Sequence, residues 1–312
     1  VPGWELIPHA TGPWLLRVGA RLYVVPPERV GDLRAHGPPP ALLTRPARRS
    51  RRAALWVRVP LLSSAHVRRI AERLSHLTRG RVLGVMAGVG CAGFVLAWRF
   101  GGAGLPALSP PGWVVALGLL GSTAVWHELG HAAALHRSGY PPGGIGTGLL
   151  FIIPVLYADV SAVSALARRD RLRVDLAGVC FQAGAGGALA AWGALADCGT
   201  CRLAGLLSMA AVIWSLIPFL RTDGYWVLCD LLGLRDLEGA GGAISRTYRI
   251  FNGVFMVGVG YLLMARLTRW SGWVLSSAPE LRAGLLAACW VVLAWRLAVG
   301  LGADGRLHRR DP

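Results

Sequence analysis

Lysine is absent. All 33 basic residues are arginine, set against 16 acidic residues, and charged side chains make up only 16% of the 312 residues. A chain of this length with so little charge, 54% hydrophobic residues and a mean hydropathy of +0.49 is not composed like a large soluble domain. The first thirty residues contain no basic segment followed by an apolar run, so no secretory signal peptide is expected there. No basic helix interleaved with aromatics and no nucleic-acid motif occurs, so the net charge of +17 does not point to nucleic acid. Of the six cysteines, Cys91, Cys180, Cys229 and Cys289 lie in or beside apolar segments and read as packed thiols. Only Cys198 and Cys201 form a pair, "CGTC", and a lone CxxC is a weak zinc or redox signal.

What the sequence has is long apolar runs. A membrane helix needs about 20 such residues. Runs of this kind lie near 82–99, 112–136, 174–196, 202–220, 249–267 and 283–301. A seventh, near 147–158, is too short to cross and is broken by Pro154, so it reads as a re-entrant or interfacial segment that must be covered by protein or line a cavity. The expected fold is therefore mainly α: a polytopic membrane helix bundle of about six spans spread over 81–312, with one short re-entrant segment. It is preceded by a small cytosolic region, 1–80, rich in Arg and Pro. In that region "PWLLRVGARLYVVPP" reads as a β-hairpin about Gly19. "SSAHVRRIAERLSHLTRG" places Val67, Ile70, Leu74 and Leu77 at helical spacing between arginines, an amphipathic helix of the kind that lies on a membrane surface. Arginine is dense in 1–80, in 167–173, around 235–249 and in 306–310, and sparse in the intervening loops. This places both termini in the cytosol, although Arg266, Arg269 and Arg282 go against the pattern. The Arg-, Ala-, Gly- and Pro-rich composition fits a bacterial plasma-membrane protein.

Against this apolar background, "AVWHELGHAAALH" at 124–136 is out of place. His127 and His131 are one helical turn apart on one face, and Glu128 is adjacent but angled away. Two imidazoles so spaced can bind one Zn²⁺ while the carboxylate holds and deprotonates a water, which is the HExxH pattern of metallohydrolases. With 8 His and 6 Glu in the chain, about 0.004 such matches are expected by accident. Ionisable groups also cost about 2.5–3.5 kcal/mol each at the centre of a membrane helix.

A catalytic zinc usually takes three protein ligands. Glu238 and Glu280 follow no local pattern. Asp223, in "LIPFLRTDGYW", stands at the cytosolic end of the fourth span. His127, about 15 residues into a span entered from outside at Gly112, lies about 22 Å along a core of about 30 Å. Both positions fall on the same side of the bilayer. His136 could orient the site from the next turn.

"HELGHAAALHRSG" in a span, followed about 90 residues later by "PFLRTDGYWVLCDLLGL", resembles the site-2 protease family of intramembrane zinc metalloproteases. The resemblance covers about residues 80–240. "IIPVLYADVSAV" and "RRDRLRVDLAGV" resemble the peptide zinc metalloprotease branch, found with gene clusters for ribosomally made, modified peptides of the daptide type. The resemblance implies zinc, one per chain, on His127, His131 and Asp223, with Glu128 as the base. It also implies that the segment at 147–158 pairs with an unfolded substrate as an added strand. Ile217 departs from the family, which carries Asn before the Pro of the second motif; Ser215 or Asn252 would have to replace that amide. The implied substrate is a membrane-associated peptide, with leader removal from a precursor peptide as the leading reading. A membrane-tethered regulator such as an anti-sigma factor is the alternative, although no soluble insert of about 90 residues, the size of the domain carried by that branch, interrupts this chain. A non-catalytic peptide-binding immunity or transport protein is the third reading, and it gives no reason for Glu128.

Overall fold

A computed structural model describes residues 4–8, 14–18, 21–37, 48–49, 58–102, 104–150, 153–219, 221–234, 236–237, 242–274, 279–280, 283–284, 286–287 and 290. The chain divides into two compact units, Val1–Gly233 and Leu234–Pro312.

The first unit opens with an antiparallel sheet of strands β1 (Trp4–Ile7), β2 (Trp14–Val18), β3 (Arg21–Val25) and β4 (Arg48–Arg49), in that order across the sheet. Val18 pairs with Arg21, so β2 and β3 form the hairpin that the alternating apolar runs predict. Helix α1 (Val30–His36) adds Val30 and Leu33 to a small core with Leu16, Val18, Tyr23 and Val25.

Strand β5 (Arg58–Leu62) leaves this sheet and joins a second one. There it pairs with β6 (Ile145–Leu150), which pairs with β7 (Ile153–Ala158), all antiparallel. The short apolar run at 147–158 is therefore the greater part of a hairpin. Pro154 is tolerated because β7 is the edge strand, where one N–H can be missing without loss to the ladder.

Helix α2 (Ser64–Leu74) is the predicted amphipathic helix, started by the Ser63 side chain accepting from the His66 N–H. Part of its apolar stripe packs against protein. Val67 and Ala71 are fully buried against Leu129, Ala132 and Ile145.

The helical body is α3 (Gly80–Phe100), α4 (Pro110–Arg137), α5 (Arg168–Leu195), α6 (Gly199–Ser215) and α7 (Asp223–Leu231). Ser109 caps α4, with Pro110 in its first turn. Helix α8 (Gly242–Val274) belongs to the second unit, and the expected span at 283–301 lies for the greater part outside the described residues. Among the described residues, three helical segments, Gly80–Phe100, Arg168–Leu195 and Gly242–Arg269, are long and apolar enough to cross a membrane. The chain is accordingly a mainly helical membrane protein.

Helix α5 is central and α3 peripheral: 67% of the apolar window of α5 is buried, against 22% for α3. Centrality comes from small residues. Helix α5 packs on α3, α4, α6 and α7, and its glycines and alanines let the backbones close in. The tightest approach is α3 to α5, where a Cβ on Gly93 would lie 2.0 Å from the Gly187 carbonyl oxygen. Helix α5 also begins six residues before the apolar run. Its first turns carry Asp170, bonded to Arg173 at 2.6 Å, and Arg171, which reaches Asp230 on α7.

Gly→Ala inside a helix ordinarily gains about 0.5–1 kcal/mol. At Gly88, where nothing lies within 4 Å, Ala should be neutral or stabilising in thermal unfolding of the detergent-solubilised protein. At Gly93 the sign should reverse, with a loss of about 1–3 kcal/mol from overpacking. Equal melting temperatures for the two variants would contradict this helix packing.

Candidate metal centre

The C-terminal half of α4 is the buried half, continuous from His127 to Leu135. His127, Glu128 and His131 thus enter the structure as part of a core stripe. Gly130, between them, sits where a Cβ would lie 2.8 Å from the Ala177 carbonyl oxygen, so α4 and α5 touch at backbone level.

This close approach fixes His131. Its Nδ1 is 2.7 Å from the Val174 carbonyl oxygen on α5. A carbonyl only accepts, so Nδ1 carries the proton and a neutral ring presents a bare lone pair at Nε2. The ring lies over Gly178, where any Cβ would stand 2.3 Å from His131 Nε2.

Asp223 is the first residue of α7 and arrives from the other side. Its neighbour Gly224 lets α7 start directly against the end of α6, where a Cβ would lie 2.0 Å from the Leu216 carbonyl oxygen. The far end of α7 is tied to α5 through Arg171 and Asp230, which is 3% exposed and receives Arg171 Nε and Nη2 at 2.7 Å each. Arg168 adds a bond to the Leu231 carbonyl.

These supports bring the two histidines and the aspartate together. His127 Nε2 is 3.0 Å from His131 Nε2 and 3.0 Å from Asp223 Oδ2, and His131 Nε2 is 3.3 Å from Asp223 Oδ1. The three residues are the group of potential ligands found among the described residues, and they could hold a metal ion. The spacing fits a small tetrahedral cation: ligands at about 2.0–2.1 Å imply ligand–ligand edges of about 3.3 Å. Protons can bridge these contacts pairwise, and a cation at the centre would meet all three donors at once. The other nitrogen of His127, Nδ1, is buried with no hydrogen-bond partner among the described residues.

Glu128 is buried beside this group and receives a hydrogen bond from the Ala158 backbone at the end of β7. The Asp159 N–H donates to the Gly144 carbonyl just before β6, so the preceding N–H of Ala158 turns to the outer side of β7. The hairpin's free edge therefore runs to the carboxylate. Asp159 also accepts from the Ser161 N–H and hydroxyl, and pairs with Arg17 of β2 at 3.2 Å. With Ile7 and Leu15 packed in one core with Leu135, Tyr140 and Val163, this pair docks the N-terminal sheet next to the site.

Among the described residues, none of the other positions singled out in the sequence joins the group. Glu238 lies outside the described residues, and Glu280 is exposed in the second unit. His136 is half-buried in the last turn of α4. Ile217 occupies the α6–α7 connection, its carbonyl accepting from the Thr222 hydroxyl at 3.4 Å. The Ser215 hydroxyl bonds to Val212 of its own helix, and Asn252 belongs to α8 in the second unit. Sequence reasoning missed Gly178, Val174 and the Arg171–Asp230 pair. Their signal was present in "RRDRLRVDLAGV", whose arginines count towards topology and whose glycine looks like any other in a small-residue helix.

No family model, curated protein or solved structure matches this chain.

Gly178→Ala tests the geometry without touching a ligand. It should lower metal affinity by about 10–100-fold, as loss of ligand orientation does elsewhere. Helical content should be retained, and Gly88→Ala should bind like the wild type. Unchanged affinity in Gly178→Ala would show that His131 does not bind in the position described.

Proposed function

We propose that this chain is an intramembrane zinc metalloprotease that hydrolyses a peptide bond in a membrane-associated peptide. The observation that carries the reading is the meeting of His127, His131 and Asp223 with Glu128 alongside, at the buried end of an otherwise apolar helix. Two imidazoles and a carboxylate form a ligand set of the kind found in catalytic zinc sites, with the fourth position left to water or substrate. A zinc ion held there would supply a Lewis acid that polarises a carbonyl and lowers the pKa of water to about 7.

The chain's own groups supply the rest. His131 is held in one tautomer by Val174, so its Nε2 is committed to the metal side. Glu128 is placed to take a proton from the attacking water and deliver it to the leaving amine nitrogen. The open edge of β7 supports the substrate mode implied by the family resemblance. An extended peptide adding to that edge would present its carbonyls beside Glu128, whereas a helical peptide would keep its carbonyls bonded and shielded.

In this reading the protein crosses a bacterial plasma membrane about six times with both termini cytosolic, and the site faces the cytosolic half of the bilayer. The substrate is a precursor peptide whose leader is removed during maturation of a ribosomally made, daptide-like product. The docking of the Arg-rich N-terminal sheet beside the site, through Arg17 and Asp159, favours such a peptide over a large tethered regulator, because it sets a basic module where a short leader can reach.

Glu128→Gln should keep one zinc per chain and lower cleavage of a co-expressed precursor peptide by about 10²–10⁴-fold, read by peptide mass. Cleavage at the wild-type rate would remove Glu128 from the role. An intact peptide with wild-type protein carrying zinc would remove precursor peptides as the substrate.

A further inference from the structure

The CxxC pair has no part in the metal centre. Helix α5 ends at Leu195, Asp197 takes a left-handed conformation with φ 52°, and α6 starts at Gly199 with Cys198 as its cap. The Cys198 N–H donates to the Gly193 carbonyl at 2.9 Å, which sets the turn. Cys198 Sγ then accepts from the Cys201 N–H at 3.3 Å and stands 2.6 Å from Cys201 Sγ. Both thiols are partly exposed.

Residues three apart across a helix start have Cα atoms about 5–6 Å apart, within the span a disulfide bridges. Hydrogen bonds from the Cys201 side chain and then its backbone hold the Cys198 thiol below the usual thiol range. The positive end of a helix acts in the same direction. A metal is the competing occupant. Among the described residues, however, no third His, Cys, Asp or Glu ligand joins these two sulfurs, and a structural zinc needs four ligands.

The pair is far from His127. The start of α6 packs at the start of α4, with Gly199 against Pro106 and Gly112 against Thr200. At 1.5 Å per residue, His127 is about 25 Å further along α4.

We propose that Cys198 and Cys201 form a thiol–disulfide exchange site for small-molecule disulfides at the end of the helical body remote from the metal centre. The Cys198 thiolate attacks one sulfur of R–S–S–R. A Cys198–S–R bond forms, and the other R–S⁻ leaves and takes up a proton. The Cys201 thiolate then attacks Cys198 Sγ, the Cys198–Cys201 bond forms, and the second R–S⁻ leaves. The chain loses two electrons and two protons, and the small disulfide becomes two thiols. The inference does not depend on the protease reading.

The test uses the full chain in nanodiscs, equilibrated with glutathione and glutathione disulfide at set ratios, then alkylated and mapped by mass spectrometry. Cys198 and Cys201 should convert reversibly to one intrachain disulfide as the disulfide form rises, while Cys91 and Cys180 remain alkylated. Cys201→Ser should accumulate a stable glutathione adduct on Cys198, formed about 10-fold faster than on a model cysteine peptide at pH 7. Cys198→Ser should leave Cys201 slow. If the pair stays alkylated at every ratio, or Cys201→Ser reacts no faster than the peptide, the proposal falls. A second zinc per chain that disappears in Cys198→Ser would also overturn it, in favour of a metal site.

Discussion

Two imidazole nitrogens and a carboxylate within 3.0–3.3 Å of one another in a buried place need protons or a cation among them. Much of the described architecture serves to impose that crowding. The backbone contact of α4 with α5 at Gly130 and Gly178 brings His131 onto the Val174 carbonyl, which takes the ring's other proton. Gly224 seats α7 against the end of α6, and Arg171 clamps α7 to α5 through Asp230. Each support is a close approach or a buried polar pair, and each loses its purpose if the three donors do not meet.

The hairpin gives the same region a direction. Strand β7 is the edge of its described sheet and its last N–H reaches Glu128, so that side chain lies at the outer edge of the hairpin. An open edge is a hazard in a soluble protein because it templates further strands. Beside a buried Glu and a group that could hold a metal, the same property would, in the proposed function, hold a peptide extended. The Arg17–Asp159 pair sits at the end of that edge and ties the N-terminal sheet to the site within one unit.

How much of this was legible in the sequence depends on the range of the interactions. The HExxH spacing is local, and the helix that carries it follows from the apolar run and the Ser109–Pro110 start. Asp223 was reachable because its expected depth and that of His127 along two apolar runs could be compared, and the structure brings the two side chains together. The β2–β3 hairpin was visible as alternation, whereas β1 and β4 are too short to show a period. The stripe of the amphipathic helix says only that one face is buried and not against what; the partner, α4, is about 60 residues away in sequence. Gly178 was invisible for a related reason. A glycine's purpose is set by what approaches it, and His131 approaches from another helix.

The most direct measurement is X-ray absorption at the zinc edge on the purified, metal-loaded chain. The account predicts nitrogen and oxygen ligands alone at about 2.0–2.1 Å, with the outer-shell scattering of two imidazoles. A sulfur shell at about 2.3 Å would move the metal to the cysteines. Failure of the chain to retain any stoichiometric metal would contradict the central claim outright.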